Sequence, residues 1–203
     1  MIELLGAAGQ DGTLDRSLDK QLDSPPWVVA SVRLIFSMGA LAFGQERTFR
    51  PTFVTNTSVR QAAFLTSDAT VRIHPDLFTN MASSMPAAEE QVAFTLGVLA
   101  HEYGHYADKQ LFLYDRLISA VPELRAQSLS RVHKKELFAD SVAGCLLARM
   151  DQVSDPLARF YASGATRASD SHPAADLRLI ALKHGWARCA SNRQFPTAIE
   201  SMF

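Results

Sequence analysis

Only one stretch of this chain reads as β-structure, residues 49–74, and helical patterns lie on both sides of it. Within it, 53–55, 59–65 and 70–74 are rich in β-branched and aromatic side chains. Asn56-Thr57-Ser58 and Thr66-Ser67-Asp68 separate these runs as turn-forming sets. Two or three short antiparallel strands are expected. In the last, Val71 and Ile73 face one side of the sheet while Arg72 and His74 face the other. Pro75 has no N–H to give to a ladder, so that strand ends there or lies at the sheet edge. Helices must supply the rest of the core, and the expected fold class is α+β: mostly helical, with a small antiparallel sheet.

The longest apolar run, residues 27–43 (WVVASVRLIFSMGALAF), has Arg33 near its middle. At 17 residues it sits at the short limit for a bilayer span, and a central charge is costly there. A buried helix that starts at Pro25-Pro26, ends at Gly44 and turns Arg33 outward is the better reading. Ser83-Ser84, Pro86, Glu89 and Glu90 mark a second helix start, with a pattern running to about residue 111. Further helices are expected over about 128–150 and about 173–185, the latter closed by Gly185. Residues 151–171 read as a loop with at most one helical turn. Residues 1–24 are polar and read as a surface arm, leaving 25–203 as one domain.

Twenty basic residues against twenty-one acidic ones, with no basic run, give no support to a nucleic-acid surface. The N-terminus lacks the basic segment and apolar run of a secretory signal. Cys145 and Cys189 lie among apolar neighbours and read as buried free thiols. A soluble, cytoplasmic protein is the expectation, with a weaker option of membrane association through 27–43.

The chemistry concentrates in His101-Glu102-Tyr103-Gly104-His105. Residues four apart share a helix face, so both imidazoles can meet one metal ion. Glu102 can approach water beside that ion without ligating it. With six histidines in the chain, this HExxH pattern should arise by chance about 0.01 times. Catalytic zinc takes three protein ligands and keeps one open position. The metzincin third ligand would need Gly at 108 and His at 111, where this chain has Asp108 and Leu111. Glu136 is the best third ligand, and Asp140, one turn on, can accept from the free nitrogen of a ligating imidazole. Near the end, His172-Pro173 precedes a helix carrying Arg178. His172 can donate to an oxyanion formed in amide hydrolysis; Arg178 can do the same or pair with Asp140. Gly104, between the ligands, points to close approach of its helix to the sheet or to substrate.

The set LAHEYGH, ELFAD and SHPAADLR resembles the soluble members of the HtpX and CAAX prenyl protease family of gluzincin metallopeptidases, over about residues 60–185. The resemblance implies a zincin-like domain holding one zinc ion on His101, His105 and Glu136. Glu102 is then the general base, Asp140 supports a ligand, and His172 and Arg178 act near the oxyanion or support the site. It also implies a peptide or protein substrate, cut internally, that lies extended along an edge strand, expected to be 70–74. The chain departs from the family in having no convincing membrane helix. It also has Ala62-Ala63-Phe64 where the family often has Asn-Ala-Phe, which removes one expected contact to substrate backbone. Two competitors are an ImmA-like metallopeptidase, opposed by the Ser-His-Pro segment with Arg178, and an inactive metal-holding regulatory domain, opposed by the intact Glu102.

Overall fold

A computed structural model describes residues 16–22, 26–42, 52–59, 62–65, 70–77, 85, 87–152, 154–163 and 168–191. Its strands are β1 (Lys20–Gln21), β2 (Thr52–Thr55), β3 (Ala62–Leu65) and β4 (Thr70–Ile73). Helices are α1 (Pro26–Ala42), α2 (Ala88–Leu111), α3 (Tyr114–Ala120), α4 (Pro122–Arg125), α5 (Arg131–Arg149), α6 (Asp155–Ser163) and α7 (Ala175–Ser191). The class is α+β, as expected. The proposed stop at Gly44 and the start at Ser83-Ser84 and Pro86 lie outside the described residues.

The sheet corrects two expectations. Its order is β1-β2-β4-β3, and β2 runs parallel to β4 while the other two pairs are antiparallel. Residues 70–73 therefore form an interior strand, not an edge. Pro75 acts only as a stop, one residue past His74. The burial explains the interior place: Val71 and Ile73 are fully buried, and Arg72 is buried too. The alternation holds, but the Arg72 face is not solvent. Arg72 donates from Nε and Nη2 to the Asp19 carboxylate at 2.9 and 2.7 Å. Asn56 Nδ2 donates to the same carboxylate at 2.6 Å. These bonds compensate a buried guanidinium that would otherwise be costly, and they dock part of the expected surface arm as strand β1.

α1 buries Val28, Val32 and Ile35, an i, i+4, i+7 stripe, and leaves Arg33 exposed. Among the described residues no helix is long and apolar enough to cross a membrane. α2 opens with Glu89 and Glu90 in its first turn, where the helix dipole favours anions. Ser130 caps α5, its Oγ accepting from His133 N at 3.1 Å. α6 occupies nine residues of the expected 151–171 loop. Asp155-Pro156, read as loop residues, serve as its first turn, and Leu157 and Tyr161 bury one face four residues apart. α7 does not stop at Gly185 but runs six residues further, to Ser191. A Cβ at Gly185 would lie 1.8 Å from the Ser141 carbonyl oxygen, so the glycine serves close packing of α7 on α5.

α5 packs against both α2 and α7 and is buried from Glu136 through Ala148. Cys145 and Cys189 are not free thiols: they form a disulfide between α5 and α7. Two helical cysteines with no exposed surface look the same in sequence whether bonded or not.

Candidate metal centre

Three helices build the site. α2 presents His101 and His105 on one face, α5 brings Glu136 beneath them, and α7 backs α5. Gly104 sets the spacing: a Cβ there would lie 2.6 Å from Ala139 Cα. The close approach inferred for this glycine is to α5, not to the sheet or a substrate.

His101 Nε2 and His105 Nε2 lie 3.1 Å apart. Glu136 Oε2 is 3.6 Å from His101 Nε2, and Glu136 Oε1 is 3.3 Å from His105 Nε2. Ligands about 2.0–2.2 Å from a tetrahedral zinc ion stand about 3.3–3.5 Å from one another, so the donor set has the right size. All three side chains are buried, and neither Glu136 oxygen accepts a hydrogen bond. A buried carboxylate lacking donors is expensive, and a cation between these atoms would compensate it. The residues fit a zinc ion.

Asp140 organises the layer behind the ligands. Its Oδ1 accepts from His101 Nδ1 at 2.8 Å, which turns Nε2 toward Glu136. Arg178 grips both carboxylate oxygens, Nε to Oδ2 at 2.8 Å and Nη2 to Oδ1 at 2.7 Å. Of the two roles open to Arg178, the geometry selects the pairing with Asp140. Burial alone would raise the Asp140 pKa, but the Arg178 guanidinium and His101 outweigh it and hold the carboxyl far below its usual range. Glu136 is also held low, since its burial is outweighed by His105, His101 and Arg178. Burial opposes a proton on His101, yet Asp140 beside it raises the pKa to about 9. Burial lowers His105 to about 4, so the two imidazoles are pushed in opposite directions. A metal binds imidazole nitrogens that carry no proton, so binding here competes with protons.

His172 Nε2 lies 3.7 Å from Glu136 Oε2, is buried and has no hydrogen-bond partner. Its Nδ1 is 2.9 Å from Ser171 Oγ. The segment that carries it is tied down by Ser169, whose Oγ accepts from His172 N at 3.0 Å. Ser169 O in turn accepts from His133 Nε2 at 2.7 Å, so His133 anchors this loop to α5. Glu102 is buried on α2 but is not one of the three residues whose ligand atoms converge.

Sequence reasoning missed Tyr161, whose hydroxyl donates to Asp140 Oδ1 at 2.6 Å. The one signal available was Leu157 and Tyr161 at helical spacing within a segment rich in small polar residues. No family model, curated protein or solved structure matches this chain significantly.

Proposed function

We propose that this chain is a zinc-dependent peptidase with a zincin-like domain, akin to the HtpX and CAAX prenyl protease group. One observation carries the reading: His101, His105 and Glu136 converge with a buried carboxylate that no donor satisfies. Three nitrogen and oxygen ligands with a fourth position free is the donor set of catalytic zinc, whereas structural sites close all four. Zinc held there would polarise water and the scissile carbonyl, supplying a nucleophile near neutral pH.

The protein's own groups do the rest. Glu102 takes a proton from the attacking water and passes it to the leaving amine, acting as base and then acid. A Ser171 hydroxyl donating to His172 Nδ1 leaves the imidazole proton on Nε2, free to stabilise charge growing on the carbonyl oxygen. Arg178 contributes indirectly by fixing Asp140. An extended peptide, cut as an endopeptidase substrate, would add to the sheet beside β3, because β4 is already paired on both sides.

The compartment follows less simply. The sequence favoured the cytosol, but the Cys145–Cys189 bond favours an oxidising one, since such bonds rarely persist among cytosolic thiols. Thiol labelling of the denatured protein straight from cells decides this: no labelling supports the oxidising compartment, and two labelled thiols support the cytosol.

The test of function is Glu102→Gln. It should retain one zinc per chain and lose protein hydrolysis by at least about 100-fold, within the usual contribution of a general base. Unchanged turnover would remove Glu102 from this role, and no hydrolysis of any unfolded protein by the zinc-loaded wild type would defeat the peptidase reading.

A further inference from the structure

α6 supplies no ligand, yet it reaches the metal centre through one side chain. Tyr161 is 3% exposed, and its hydroxyl donates to Asp140 Oδ1. That oxygen also accepts from His101 Nδ1 at 2.8 Å and Arg178 Nη2 at 2.7 Å. The Arg178 guanidinium carbon lies 4.0 Å from the centre of the Tyr161 ring, in cation–π contact. Tyr161 thus touches both members of the pair that orients His101, the carboxylate through its O–H and the guanidinium through its ring face. Asp140 is fully buried, so leaving one of its hydrogen bonds unmade is costly.

We propose that Tyr161 is a positioning residue of the metal centre, holding the Asp140–Arg178 pair in the orientation that presents His101 Nε2 to the cation. This rests on the zinc reading above. The hydroxyl and the ring have separable parts: the O–H fixes the carboxylate oxygen that His101 uses, and the ring face keeps the guanidinium fork over it. Three helices, α2, α6 and α7, thereby meet at one carboxylate on α5. Loss of the ring should therefore disturb the ligand more than loss of the hydroxyl.

The test measures zinc dissociation constants of the full chain by competition with a chromophoric chelator, together with the visible spectrum of the cobalt(II) form. Thermal melts of the metal-stripped proteins run alongside. Tyr161→Phe should weaken zinc about 3- to 10-fold, and Tyr161→Leu about 10- to 100-fold, the range for residues supporting a ligand. Both should alter the cobalt spectrum. Phe160→Leu is the packing control on the same helix: the Phe160 ring packs edge-on against Phe94 with centroids 5.2 Å apart and lies 6.0 Å from the Tyr161 ring, so it loosens the packing around Tyr161 while leaving the tyrosine in place. It should lower the melting temperature and leave zinc affinity in place. Should Tyr161→Leu fail to fold, Tyr161→Phe decides alone. Zinc affinity within twofold of wild type in the folded Tyr161 variants overturns the proposal and makes Tyr161 a packing residue. An equal loss in Phe160→Leu overturns it as well. A wild type that binds no zinc is a different failure, of the metal centre itself.

Discussion

The contact between α5 and α7 has two ends built on opposite chemistry. At one end Asp140 and Arg178 form a buried ion pair whose carboxylate also serves His101 and Tyr161. At the other, Cys145 and Cys189 are joined covalently among buried apolar side chains. A buried ion pair is a poor way to stabilise a helix pair, since desolvation can cancel its Coulomb gain. A disulfide bridging a sequence separation of 44 constrains the unfolded chain and stabilises by about 2–4 kcal/mol without serving any other group. The difference separates roles along one helix pair: one end orients His101, and the other joins the helices covalently.

Variants at the two ends should therefore fail in different ways. The largest effect on metal is expected for Glu136→Ala, which removes a ligand and should weaken zinc by well over the roughly 100-fold seen for supporting residues. Equilibrium competition measures it, and a loss no larger than that of Asp140→Ala would mean the roles of the two carboxylates are exchanged.

Asp140→Ala should weaken zinc by about 10- to 100-fold and also destabilise the fold by about 3–5 kcal/mol, because Arg178 is left buried without its partner. Denaturant melts of the metal-free protein separate the two losses. A double variant that replaces Arg178 with a neutral residue as well should recover part of the stability but not the affinity.

At the covalent end, Cys145→Ala with Cys189→Ala should cost about 2–4 kcal/mol and leave zinc affinity within about twofold. If affinity falls in parallel with stability, the two ends are one unit and the comparison is wrong. The smallest stability loss is expected for Gly104→Ala. Its added methyl meets the α5 backbone, and overpacking of this kind costs about 1–3 kcal/mol. It should weaken zinc several-fold by moving His101 and His105 away from Glu136. A fully retained affinity would show that α2 can shift along α5 without disturbing the ligands.

The parts of this site that were legible in the sequence obey local rules. His101 and His105 follow helical spacing, and Glu136 and Asp140 repeat it three helices later, so each pair could be placed on a face before any packing was known. Glu89 and Glu90 sit where the start of a helix favours acids. The parts that were not legible depend on contacts between distant segments. Strand β4 reads as an edge because Pro75 follows it, and only pairing with both β2 and β3 makes it interior. The sequence places Arg72 on the face opposite Val71 and Ile73 but does not show its partner, since Asp19 lies 53 positions away. Tyr161 was hidden for the same reason, in a stretch whose Asp-Pro start resembles a turn as much as a helix.

The central claim is that two imidazoles and one carboxylate share a single cation. X-ray absorption at the zinc edge of the loaded protein tests it directly. The account predicts one zinc per chain with nitrogen and oxygen neighbours at about 2.0–2.1 Å, two of them imidazole, and loss of that signal in Glu136→Ala. A zinc shell containing sulfur, or one that persists unchanged in Glu136→Ala, would contradict it.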